Sequence, residues 1–125
     1  MNERPHRKLL AWQKGMELYV AIFTTTKGFP REEIYGVTSQ MRRAALSVPS
    51  NLAEGAARSS KREFLHFLSN AEGSLSELDT QIEACQRVGY LAPPQSSTLN
   101  SLVSECSALI PRPQTLPQRL LLTLK

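Results

Sequence analysis

Apolar residues between positions 60 and 88 step by 4, 3, 4, 3, 4, 3 through Phe64, Leu68, Ala71, Leu75, Leu78, Ile82 and Cys85. This heptad spacing, held through three repeats, predicts a long amphipathic helix. Ser60-Lys-Arg-Glu63 ahead of it has the form of a capping box, the serine placed to accept from the Glu63 amide and the glutamate to reach back. Gly89 supplies the stop, with Pro93 and Pro94 beyond it. The same 3-4 spacing marks a first helix over about 8–27, through Leu9, Trp12, Met16, Tyr19 and Phe23, closed by Gly28 and Pro30. Its β-branched finish, Thr24-Thr25-Thr26, predicts a frayed last turn.

A second helix falls within 31–57, starting between Arg31 and Thr38, with Val37, Met41, Ala44, Val48 and Leu52 as its apolar stripe. Pro49 interrupts it. An interior proline removes a backbone donor, clashes with the carbonyl four residues back and costs about 3 kcal/mol. The pattern either continues through a kink, the preferred reading, or restarts with Asn51 as N-cap and Glu54 three residues later. A fourth helix over about 94–110 uses Leu99, Leu102 or Val103, Cys106 and Leu109, and ends at Pro111 and Pro113. Sustained strand alternation and long-period repeats are both missing from the sequence. The expected fold is therefore all-α: an up-and-down four-helix bundle over residues 1–110, helix two kinked or broken near Pro49. The Pro/Leu-rich tail, 111–125, is either disordered or docked on a bundle.

Composition narrows the class. Of 125 residues, 41% are apolar and 21% charged, as in a soluble globular domain. No apolar run approaches the roughly 18 residues of a membrane span, and the charged start Met1–Lys8 is not followed by a signal-peptide hydrophobic region. A cytoplasmic location is expected. Cys85 and Cys106 fall at apolar helical positions and read as reduced core side chains. A zinc site would need two more soft ligands.

Metal and catalytic chemistry find little footing. Glu63-Phe-Leu-His66 matches half of a bundle di-iron motif, but the other match, Glu3-Arg-Pro-His6, contains proline. With no credible triad and no Gly-rich phosphate loop, neither an enzyme, a small-molecule substrate nor a cofactor is expected. Charge is more informative. Residues 1–62 hold eleven Lys/Arg against five Asp/Glu, and residues 63–125 hold four against six, so the +4 total divides as +6 and −2. Arg42, Arg43, Arg58, Lys61 and Arg62 are the candidate nucleic-acid contacts. The alternative pairs these cations with Glu32, Glu33, Glu54 or the acidic third helix, within or between subunits. No aromatic residue interleaves with the patch, so base stacking is not expected. Gly55 and Gly73 are candidates for close helix approach, Gly55 equally for a helix end.

Trp12-Gln-Lys, Phe29-Pro30, Ser39-Gln-Met-Arg-Arg-Ala-Ala-Leu-Ser-Val-Pro-Ser-Asn-Leu-Ala-Glu-Gly55, Phe67-Leu68 and Gly73-Ser-Leu-Ser-Glu-Leu78 together resemble the bacterial four helix bundle protein family. That family includes proteins encoded by intervening sequences in 23S ribosomal RNA genes, sometimes labelled S23 ribosomal protein. The resemblance spans about Leu9 to Leu91 and implies a cytoplasmic, non-catalytic homopentamer. It also implies a remote relation to the accessory protein of diversity-generating retroelements, a basic barrel that binds a reverse transcriptase and nucleic acid. Pro111, Pro113 and Pro117 depart from the family's compact end to the fourth helix. The expected function is a homo-oligomeric adaptor for RNA or a ribonucleoprotein; the alternative is a protein-interaction scaffold with no nucleic-acid role.

Overall fold

A computed structural model describes residues 4–112. Four α-helices account for most of them: α1 (Leu10–Thr26), α2 (Val37–Ala56), α3 (Lys61–Arg87) and α4 (Pro93–Leu109). Short 3-10 turns at Pro5–Lys8 and Arg31–Glu33 precede α1 and α2, where the sequence reading extends each helix a few residues further. Each helix packs on its sequence neighbours and α4 closes back on α1. The contacts run in opposite directions along each pair: Gly15 meets Pro49 while Thr26 meets Arg42, and Ser47 meets Ser74 while Gly55 meets Phe67. The bundle is therefore up-and-down, with no strand among the described residues.

All seven heptad positions of α3 are buried. Ser60 caps the helix, its Oγ accepting from the Glu63 amide at 3.1 Å. The Glu63 carboxylate reaches back to the Ser60 hydroxyl rather than to the backbone amide. At the other end Gly89 takes φ 87°, and the Tyr90 amide donates to the Cys85 carbonyl while the Gly89 amide donates to Gln86. This is a Schellman termination, which requires a left-handed residue where glycine stands.

α2 continues through Pro49, as preferred from the sequence, and does not restart after it: the helix is unbroken from Val37 to Ala56. Asn51 is not an N-cap; its Nδ2 donates to the Ser47 carbonyl, 2.7 Å away and one turn back. The proline is fully buried against Gly15 of α1, where an added methyl would lie 3.4 Å from Pro49 Cδ and Val48 Cγ1. Burying the ring there offsets part of the cost of the missing hydrogen bond.

α1 departs most from expectation. Its buried stripe is Ala11, Gly15, Leu18, Ile22 and Thr26, one position off the aromatic stripe Trp12, Met16, Tyr19 and Phe23, which is half-buried on the flank facing α2. Gly15 stands where Pro49 approaches α1, and Leu18 and Ile22 fill the core beyond it. The last turn is also firm rather than frayed, because Thr26 is buried and its hydroxyl donates to the Ile22 carbonyl at 2.7 Å. In α4, Val103 rather than Leu102 takes the core position, and Ile110 is buried in place of the exposed Leu109. Tail residues from Pro113 onward lie outside the described part of the chain.

Of the two glycines expected at close approaches, Gly55 is one: a methyl there would sit 3.0 Å from Phe67 Cβ. Gly73 is not, since nothing lies within 4 Å of the same position. Mid-helix and exposed, it carries only the entropic cost of glycine. Gly73→Ala should therefore stabilise the chain by about 1 kcal/mol, a rise of about 4 °C in Tm by calorimetry. No rise would mean that Gly73 is covered in solution by something its extra methyl disturbs.

Candidate nucleic-acid interface

The antiparallel order sets where the cations gather. α1 begins, α2 ends, α3 begins and α4 ends at one end of the bundle. The Pro5–Lys8 turn packs against both α1 and α2 at that end. It thereby places Arg4, Arg7 and Lys8 at the same end of the bundle as Arg58, Lys61 and Arg62. Among the described residues of these terminal segments, the six cations stand against two carboxylates, Glu54 and Glu63, an excess of four positive charges. The sequence reading found the second trio and missed the first, although Arg4-Pro-His-Arg-Lys8 is strongly basic. Only the fold-back of the turn onto α2 joins the two.

The five candidate residues do not form one patch. Arg42 and Arg43 lie some fifteen positions before Arg58, about 20 Å along the helix axis. Arg42 is committed to the fold: its Nε donates to Thr26 Oγ1 at 2.9 Å and its Nη2 to the Phe23 carbonyl at 3.3 Å. Its guanidinium lies 4.0 Å from the centre of the Phe23 ring. It satisfies the open carbonyl end of α1 instead of pairing with Glu32, Glu33 or Glu54. Arg43 is exposed and lines a shallow polar groove with Gln40, Ser47 and Glu77.

At the basic end, Arg58 is partly neutralised. It pairs with Glu54 at 3.2 Å and approaches Glu63 at 4.0 Å. Such exposed pairs contribute at most about 1 kcal/mol and leave the charge available to a stronger anion. Lys61 and Arg62 open α3, and Arg62 projects into solvent. Arg112 pairs with Glu72 at 2.7 Å, tying the end of the described chain to α3.

Aromatic rings do interleave with these cations, contrary to the sequence reading. The Arg58 guanidinium lies 5.1 Å from the centre of the Phe67 ring, and Arg7 lies 5.3 Å from that of Trp12. His66 meets Phe67 edge-on at 5.3 Å, and His6 meets Trp12 at 5.0 Å. Glu63, in its cap, and His66, beside Phe67, are thus both engaged in local packing. Both thiols are buried, Cys85 against Met41 Sδ at 3.7 Å and Cys106 donating to the Ala11 carbonyl at 3.6 Å. No helix among the described residues is long and apolar enough to cross a membrane.

Fold and charge together define a small antiparallel four-helix bundle with its cations concentrated at one end. Comparison with known proteins gives this class a family. The chain belongs to the 23S rRNA-intervening sequence protein family, whose profile matches residues 7–112. A similar solved structure is a protein of unknown function from the S23 ribosomal protein family of Bacteroides thetaiotaomicron VPI-5482. It superposes with a TM-score of 0.75 at 22% identity, covering 81% of this chain and 91% of that one, a likeness of fold. None of the curated proteins compared matches the chain.

Proposed function

We propose that this chain is a non-catalytic, cytoplasmic bundle that assembles with copies of itself, as a pentamer on the family resemblance, and binds RNA or a ribonucleoprotein through its basic end. The observation that carries the reading is the convergence of Arg4, Arg7, Lys8, Arg58, Lys61 and Arg62 at one end of the bundle. Self-association is supported by apolar surface on α1 and α2. Leu46 is exposed one turn on from Arg42, level with half-buried Tyr19, and Leu10 and Val20 are exposed on α1.

Phosphate contacts release counterions, so affinity should fall steeply with salt. If the net excess of four charges engages four phosphates of a single strand, raising salt fourfold will weaken binding about fiftyfold. Lys61→Gln and Arg62→Gln should each flatten the dependence by close to one contact. Absolute mass and RNA titration at two salt concentrations on one sample check both halves of the proposal. A salt-insensitive or undetectable interaction at low salt sinks the RNA reading.

The in-chain ion pairs of Arg58 favour a second reading, a protein scaffold in which the arginines serve assembly. Replacing Arg58 and Arg62 by glutamine separates the two. RNA binding lost from an intact oligomer supports the first, and an oligomer that falls apart supports the second.

A further inference from the structure

Two features of the basic end repeat on opposite sides of α2. On the α1 side, Arg7 lies over half-buried Trp12 and His6 abuts the same ring. On the α3 side, Arg58 lies over half-buried Phe67 and His66 abuts that ring. The chain has two histidines and one tryptophan, and all three belong to these assemblies. Gly55 lets the end of α2 approach the start of α3 closely, a methyl at that position lying 3.0 Å from Phe67 Cβ.

We infer that the basic end receives an unpaired RNA strand, its bases stacking on the Arg7–Trp12 and Arg58–Phe67 pairs while its phosphates meet Lys8, Lys61 and Arg62. This rests on the reading that the partner is RNA and adds which form of RNA it is. A guanidinium held over an aromatic ring presents its own planar face, and a base with a free face stacks on it as on another ring. Bases in a duplex have no free face except at its ends, so the stacking contribution is confined to unpaired strands. A site for duplex phosphates alone would need extended cations in solvent. Here Arg58 is 43% exposed at the side chain, drawn onto Phe67 and toward Glu54. Arg42 over Phe23 lies apart from this site, bonded to Thr26 and Phe23 at the other end of the bundle.

Trp12, the sole tryptophan, reports on the site directly. The chain is titrated with a short unstructured RNA strand and with a duplex of the same length at the same low salt, following both binding and Trp12 emission. The strand should bind at least tenfold more tightly and quench the emission. Phe67→Leu should weaken strand binding by about tenfold more than duplex binding. Equal affinities, or a bound strand that leaves Trp12 emission unchanged, overturn the inference while leaving the basic-surface reading in place. Failure of both RNAs to bind overturns the two together. The quenching measurement needs no variant, so it stands even if Phe67→Leu folds poorly.

Discussion

Truncating Leu78 to alanine should cost the bundle about 3 kcal/mol. Leu78 has no exposed surface and occupies the fifth position of the α3 seam. Neighbouring seam positions Leu75 and Ile82 are equally buried, and the facing residues Met41, Ala44, Val48 and Leu52 of α2 belong to the same core. Loss of the side chain removes its transfer free energy and leaves a cavity that a rigid four-helix core only partly collapses. Such substitutions fall in the range of about 2–5 kcal/mol. Denaturant unfolding would read this as a lower midpoint with unchanged slope. A cost below about 1 kcal/mol would mean that α3 is not packed at this register.

Alkaline solution should destabilise the chain through its buried thiols. Burial pushes the Cys106 thiol from 9.0 up to about 11, the nearby Glu72 carboxylate adding to the effect and Lys14 opposing it. A thiol that ionises later in the fold than in the unfolded chain favours the fold fully below pH 9. Above that the unfolded chain releases its proton first, so stability will fall by about 1.4 kcal/mol per pH step between 9 and 11. Cys85 moves the same way by burial, and Tyr90 does so because its hydroxyl donates to Glu33 at 2.8 Å. Lys14 is raised chiefly by its hydrogen bond to Glu105, so the stability from that pair is also lost as the pH climbs through its folded value. Urea midpoints measured from pH 7 to 11 should stay level and then decline. Cys106→Ala should remove most of the decline between 9 and 11, and a decline undiminished in that variant would assign it to other groups.

The helices themselves were readable because seam, cap and stop agree for α3, and because α2 keeps its stripe through Pro49. The face of α1 was not. A reading weighted by side-chain size puts Trp12, Met16, Tyr19 and Phe23 inward, whereas the inward stripe is Ala11, Gly15, Leu18, Ile22 and Thr26, with Gly15 at the close approach of Pro49. The aromatics are displaced to the flank, where Arg7 and Arg42 cover two of them. That displacement also hid the stacking partners of the basic end. Arg42 reads from the sequence as a nucleic-acid contact, or as an ion-pair partner of Glu32, Glu33 or Glu54, and its true partners are not legible there, since a threonine hydroxyl and a backbone carbonyl carry no signature in a sequence. The trio Arg58, Lys61 and Arg62 stood out by clustering, and Arg4, Arg7 and Lys8 join it only once the antiparallel order is known.

The far end of the bundle carries Lys27, Arg31, Arg42 and Arg87 against Glu32, Glu33 and Glu83, an excess of one positive charge against four at the basic end. α1 alone, 17 residues long, separates the two ends by about 26 Å. The molecule therefore has a permanent electric dipole along its long axis. In the field of a polyanion it is turned before contact so that the N-terminal turn and the α2–α3 junction lead. If RNA is the partner, as proposed, encounters are biased toward that orientation, and the bias weakens as the Debye length shrinks to about 8 Å at physiological salt.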